Sequence, residues 1–143
     1  MLIKFFELFL MMSGFIIGLG AVTVIDLHGF LARKSNYWTL ATTRTHKITK
    51  PMIWIGILFV FIGGIFLYGE IFLITHLILS FILILNGIFL SFVVSPFLLK
   101  REREGMESEL LPSKFQKKIV FSFIISDFGW WVSVAMFVLF LIF

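Results

Sequence analysis

The sequence contains no cysteine, and only 14% of its residues are charged. Without cysteine the chain has no disulfide, thiol nucleophile, cysteine-ligated zinc or iron–sulfur cluster. Any bound metal therefore depends on histidine, on carboxylate or on a cofactor. The net charge is +4, but the basic residues flank apolar segments, where membrane topology and anionic lipid headgroups account for them. Nucleic acid is therefore not predicted as a partner.

Apolar residues, in contrast, are abundant. They make up 60% of the 143 residues, 20 of them Phe, and the mean hydropathy is +1.10. A soluble domain of this size cannot bury so much apolar surface, and runs of about 20 apolar residues are typical of membrane-spanning helices. We predict an all-α fold, a single transmembrane domain over 1–143 that forms an up-down-up-down four-helix bundle. The predicted helices are residues 5–32, 51–68, 71–99 and 119–143, packed through Gly14, Gly18, Gly56, Gly63, Gly87 and Gly129.

The basic residues predict the orientation of this bundle. Of the 12 Lys and Arg residues, five lie in the predicted loop 33–50 and six in the predicted loop 100–118, whereas Lys4 is on the opposite side. The positive-inside rule places both loops in the cytoplasm and both termini outside, in the inner (plasma) membrane. An alternative for 33–50 is an interfacial helix that continues into the second span past Pro51, since its polar residues recur at helical spacing.

Polar groups within the apolar segments are candidates for function, because a charged group at mid-membrane costs about 2.5 to 3.5 kcal/mol. Asp127 is the acid nearest the predicted midplane, where Asn86 or Thr23 would be a hydrogen-bond partner. Asp26 continues the small-residue face of the first helix and is expected to point inward. Its alternative is an interfacial ion pair with Arg33 or Lys50.

The three histidines are candidate ligands. His28 and His46 share the predicted cytoplasmic interface, where both could ligate a b-type haem, or His46 could bind a divalent metal together with Asp26. The alternative is that both histidines are solvated. His76 is expected near the depth of Glu7, as its partner or as a donor to a backbone carbonyl. Glu7, Asn86, Asp26 and Asp127 are the predicted polar or ion-path residues.

Three features resemble a known group of proteins. They are the stretch Gly18 to Leu31 (GLGAVTVIDLHGFL), the sequence Thr-Arg-Thr-His-Lys-Ile-Thr-Lys-Pro that leads into the second span, and a histidine early in the third span. Together they are similar to small four-helix bacterial membrane proteins of the copper-resistance D and HemJ types. The resemblance implies haem or copper handling and redox chemistry. The chain differs from the pattern by having Glu7 where a histidine starts the first helix, and no lysine after His76.

Three functions are compatible with the sequence, and no catalytic residue is predicted. The leading hypothesis is a membrane protein whose buried polar site holds haem or a metal. The alternatives are a small proton- or ion-coupled transporter, and a non-catalytic scaffold or complex subunit. The predicted partners are the lipid bilayer and anionic headgroups at the basic loops, with a homo-oligomer left open.

Overall fold

The structure, a computed structural model, describes residues 2–143, and these residues form four helices joined by short connections. We number the helices in chain order: α1 is Leu2–Leu31, α2 is Asn36–Leu67, α3 is Glu70–Arg103 and α4 is Ser113–Ile142. All four are long and apolar enough to cross a membrane. The predicted all-α four-helix membrane bundle is confirmed, and the chain is a multi-pass membrane protein.

The outer surface of the bundle is apolar, as the lipid environment requires. Large side chains such as Phe66, Phe92 and Phe121 are each at least two-thirds exposed. Because lipid solvates apolar side chains as well as a protein interior does, their exposure costs little, and close packing between the helices becomes the main source of stability. Several polar residues of the spans are buried instead, and some of them bond between helices, as Asn86 does with Ser122 and Trp54 with Ser91.

The second helix begins earlier than the predicted span, at Asn36 and not at Pro51. Ser35 caps it, since its side-chain oxygen accepts a hydrogen bond from the backbone N–H of Trp38 at 3.4 Å. The hydroxyl groups of Thr42 and Thr49 donate to carbonyls four residues back in the same helix. Most of the predicted loop 33–50 is therefore helical, as in the alternative interpretation, and α2 continues past Pro51 as one helix.

The third and fourth helices are also longer than predicted at the ends that flank the second basic loop. The third helix extends to Arg103, and α4 begins at Ser113, so the predicted loop 100–118 shortens to the residues between them. Buried Arg101 holds this short connection: its guanidinium donates to the carbonyl oxygens of Met106 at 3.1 Å and Glu109 at 3.0 Å. Gly105 has a φ of 71°, in the left-handed region that favours glycine.

The helix α3 changes its winding at residues Leu90–Val94, which form one π-helical turn. The backbone N–H of Ser95 bonds to the carbonyl of Leu90, five residues back. Pro96 follows directly, and a proline both lacks the N–H for the bond to residue 92 and crowds that carbonyl. The wider turn relieves this conflict and changes the directions in which Ser91 and Ser95 point.

The first two helices pack through glycines, with their backbones in contact. A Cβ atom added at Gly56 would overlap the backbone of Gly18, and one added at Gly14 would lie 2.8 Å from the backbone nitrogen of Val60. Each of the other predicted packing glycines also meets a neighbouring helix: Gly63 meets Met11, Gly87 meets Trp54, and Gly129 meets Leu83.

We call the two ends of the bundle by their charge. The basic end contains the connections 32–35 and 104–112 and the basic residues of 33–50 and 100–118. The opposite end contains the turn between α2 and α3 at Tyr68 and Gly69.

Candidate functional site

A cavity of about 90 Å³ lies among the four helices near the basic end. Its walls are mainly apolar, contributed by all four helices, with Ile25, Ile53, Val94 and Phe123 among them. Polar groups are concentrated on the α2 and α3 sides, where the π-helical turn supplies Ser91. We call this space the inner cavity. The polar side chains in its lining include Asp26 from α1, His46, Lys50 and Trp54 from α2, and Ser91 and Ser95 from α3.

Asp26 is the acidic group of the inner cavity. It lies five residues, or about 7.5 Å along the helix axis, from the end of α1. Its Oδ2 atom is buried and has no hydrogen-bond partner. The ion pairs within residues 2–143 join Lys47 to Glu102, Lys100 to Glu104 and Arg101 to Glu109, so the alternative pairing of Asp26 with Arg33 or Lys50 is not formed. The carboxyl group of Asp127 on α4 is close enough to act electrostatically on Asp26.

His46 is the imidazole of the inner cavity and is 7% exposed. Its Nδ1 atom lies 2.5 Å from the carbonyl oxygen of Thr43. A carbonyl only accepts, so Nδ1 carries the proton and donates, and in the neutral imidazole Nε2 keeps its lone pair. This is the arrangement by which proteins orient a histidine that accepts a proton or binds a metal through its other nitrogen.

Lysine and tryptophan side chains of α2 tie the site to α3. The Lys50 ammonium lies 3.5 Å from the Ser95 hydroxyl, and the Trp54 indole N–H donates to Ser91 Oγ at 3.0 Å. One turn further toward the basic end, Lys47 forms an ion pair with Glu102 at 2.6 Å. The spacing of residues 47, 50 and 54 places all three on the face of α2 that meets α3.

No family model matches this sequence, and no curated protein or solved structure is significantly similar to it. The chemistry of the inner cavity is therefore the basis for inferring function.

The remaining predicted site residues lie elsewhere. His28 packs its ring against Trp38 with centroids 5.1 Å apart, and its Nδ1 is buried without a partner. Asn86 forms a reciprocal pair with Ser122, donating to the Ser122 carbonyl at 3.1 Å and accepting from the Ser122 hydroxyl at 2.6 Å. Thr23 donates to the carbonyl of Leu19. Both predicted hydrogen-bond partners of Asp127, Asn86 and Thr23, therefore bond to other groups.

His76 is at the opposite end of the bundle. It is 1% exposed and fits against Gly64, where an added Cβ would overlap the imidazole. Its Nε2 lies 3.3 Å from the carbonyl oxygen of Phe61, which matches the expected alternative of a donor to a backbone carbonyl. The ion pairs of residues 2–143 do not include the predicted pair of Glu7 with His76.

The inner cavity is a poor fit for haem. Binding sites for drug-sized ligands occupy about 300 Å³ or more, and the inner cavity has about 90 Å³. His46 is its only histidine, since neither His28 nor His76 lines it. Within residues 2–143 no three His, Asp or Glu side chains are grouped to hold a metal ion. Asp26 and His46 together supply two ligands, and a metal there would need water or another molecule to complete its coordination.

Sequence reasoning did not find the α3 side of the site. Ser91 and Ser95 belong to no recognisable motif, and the π-helical turn Leu90–Val94 that lies beside them is not evident from an apolar run of sequence. Pro96 is the signal that was present, since a proline inside a long apolar helix disturbs the turn before it.

Proposed function

We propose that this protein is a small proton- or cation-coupled transporter of the membrane, with Asp26 as the cation-binding carboxylate. The observation that supports this most is the buried, unpaired Asp26 Oδ2 in a cavity that also contains His46. A carboxylate in an apolar interior is costly without a partner, so a proton or small cation stabilises it. Asp26 with its proton or cation bound, and Asp26 after that proton or cation has left, are then the two states between which a transporter alternates.

His46 and Asp127 have supporting roles in this proposal. The lone pair of His46 Nε2 accepts a proton from the basic end and passes it toward Asp26. Asp127 adds a second negative group close to Asp26. Two neighbouring carboxylates repel each other in a low dielectric, so the pair binds a proton or cation more tightly than an isolated carboxylate does.

The test is proton flux in vesicles. Purified protein is reconstituted into liposomes that contain a pH-sensitive dye, and flux is measured under an imposed membrane potential. We expect Asp26→Asn to lower the flux to that of empty vesicles, because an amide cannot ionise, and Asp127→Asn to lower it in part. Glu70→Gln, which removes an exposed acid at the opposite end, is the matched control and should retain the wild-type flux. Wild-type flux no greater than that of empty vesicles would refute the proposal, and so would full flux in Asp26→Asn.

A metal or redox function is the second candidate, supported by the presence of His46 and Asp26 in the lining of one cavity and by the resemblance described above. Visible spectra and elemental analysis of the same preparations test it. A stoichiometric metal that is lost in both His46→Ala and Asp26→Asn would favour this candidate. Neither flux nor metal would leave the scaffold or complex subunit as the function.

We further propose that the basic end faces the cytoplasm and that both termini lie outside, in the inner membrane. The natural absence of cysteine makes a labelling test direct. Cysteine at exposed Ser108 should resist an impermeant thiol reagent in intact cells, whereas cysteine at Gly69, where an added Cβ meets nothing within 4 Å, should react. Lysed cells should label at both positions. Labelling of Ser108→Cys alone in intact cells would reverse the orientation.

A further inference from the structure

A second space lies between α2 and α3 at the basic end and opens to the outside of the bundle. It measures about 640 Å³, within the range of small-molecule sites. We call it the lateral groove. His46, Lys50, Trp54 and Ser95 line both the groove and the inner cavity, and Lys47, Pro51, Ile55 and Leu99 complete it. The two spaces therefore adjoin along one wall.

The lateral groove crosses the boundary between the charged and apolar parts of the two helices. On α2 the last basic residue is Lys50, and apolar sequence follows from Pro51. On α3 apolar sequence ends at Leu99, and charged residues begin at Lys100. The ion pair of Lys47 with Glu102 holds the two boundaries at one level. A change from charged to apolar sequence is expected where lipid headgroups meet acyl chains.

The charge of the groove is positive. Lys47 is neutralised by Glu102, but Lys50 has no carboxylate partner among the ion pairs of residues 2–143. Its one hydrogen bond, to Ser95 Oγ, is long at 3.5 Å, which leaves the ammonium free to donate elsewhere. Below Lys50, the exposed side chain of Ile55 and the ring of Trp54 continue the groove as apolar surface.

We propose that the lateral groove is a binding site for one anionic phospholipid. Its phosphate accepts hydrogen bonds from the Lys50 ammonium and the Ser95 hydroxyl, and its acyl chain runs away from the basic end along Trp54 and Ile55. Charge complementarity at the headgroup level and the apolar surface below it together select an anionic amphiphile over a soluble anion. The proposed lipid contacts do not include Asp26, which lines the inner cavity and not the groove, although His46, Lys50, Trp54 and Ser95 line both spaces.

Native mass spectrometry of delipidated protein tests the proposal. Phosphatidylglycerol and phosphatidylcholine of equal chain length are added in equal amounts, and the retained adducts are counted. We expect the wild type to retain one phosphatidylglycerol in preference to phosphatidylcholine. Lys50→Gln should lower this preference about fivefold, as expected for one cation near an anionic headgroup, and Lys50→Arg should retain it. Lys118→Gln removes an exposed charge outside the groove and is the matched control.

A second variant tests the apolar part. Ile55 is 44% exposed, so Ile55→Trp is tolerated by the fold and fills the groove. We expect it to reduce retention of both lipids, with an unchanged unfolding temperature. Equal retention in Lys50→Gln and wild type would overturn the proposal. Displacement of the lipid by inorganic phosphate would also overturn it, in favour of a soluble anion, whereas an effect of Lys118→Gln equal to that of Lys50→Gln would show unspecific attraction only.

Discussion

Gly56→Ala is expected to destabilise the bundle by about 3 kcal/mol, at the upper end of the cost of overpacking. The added methyl would overlap the Cα and nitrogen of Gly18 and lie 3.0 Å from the carbonyl oxygen of Gly14. All of these are backbone atoms of a helix, which cannot move aside as a side chain can. The two helices must separate, and the packing between α1 and α2 is lost along its length.

Gly20→Ala is the matched control for this prediction. Gly20 is also on α1, but it is exposed, and an added Cβ meets nothing within 4 Å. Alanine is the better helix former by about 1 kcal/mol, so this variant should be as stable as the wild type or slightly more so. Denaturant unfolding in detergent measures both. Equal stability of Gly56→Ala and Gly20→Ala would contradict the close approach of α1 and α2.

Trp130→Ala is expected to cost about 3 to 5 kcal/mol, the range for removing a large aromatic side chain from a core. Trp130 is 1% exposed and is among the largest fully buried side chains of the bundle. Its ring fills the space that Gly18 leaves on α1 and packs edge-on against Phe15, with centroids 6.3 Å apart. Its removal leaves a cavity between α1 and α4 that the rigid helices cannot close.

The neighbouring residue provides the control. Trp131 is 55% exposed to the outside of the bundle, where lipid replaces the lost side chain, so Trp131→Ala should change stability by less than about 1 kcal/mol. The same unfolding measurement applies. If the two tryptophan variants were equally stable, α4 would have to be rotated so that a different face meets α1.

Gly18 and Trp130 should also be coupled. An added Cβ at Gly18 would overlap the Trp130 ring, so Gly18→Ala is expected to destabilise the wild type. In a Trp130→Ala background that conflict is gone, and the loss should be smaller than the sum of the two single changes.

Much of the fold was predictable because lipid imposes simple demands on a sequence. Each long apolar run must be a helix, since a helix satisfies its own backbone hydrogen bonds in lipid. Glycines repeated on one face, as at Gly14 and Gly18, predict where helices approach closely. These inferences need only the order of residues along a single helix.

The bounds of α2 were harder to predict. Residues 36–50 are rich in Thr and basic residues, which is typical of a solvated loop as well as of a helix at the membrane surface. Two features stabilise the helix over these residues. Thr hydroxyls bond within it, as Thr43 does to the carbonyl of Thr39, and one side of it is buried against α1 and α3. Helical spacing allowed this outcome but did not select it.

The candidate site also separates features that the sequence predicts from features that depend on packing between helices. The sequence by itself determined that the chain spans a membrane, that its polar residues in the spans are few, and that Asp26, His46 and Asp127 are among them. Only the tertiary structure decided which of these residues share a site: Asp26 and His46 both line the inner cavity with Lys50, Ser91 and Ser95, whereas His76 lies at the opposite end of the bundle. The physical reason is that helix formation is set by neighbours along the chain, whereas the rotation and depth of each helix are set by packing against the other three. A small change in either would carry a polar side chain out of the inner cavity and into lipid.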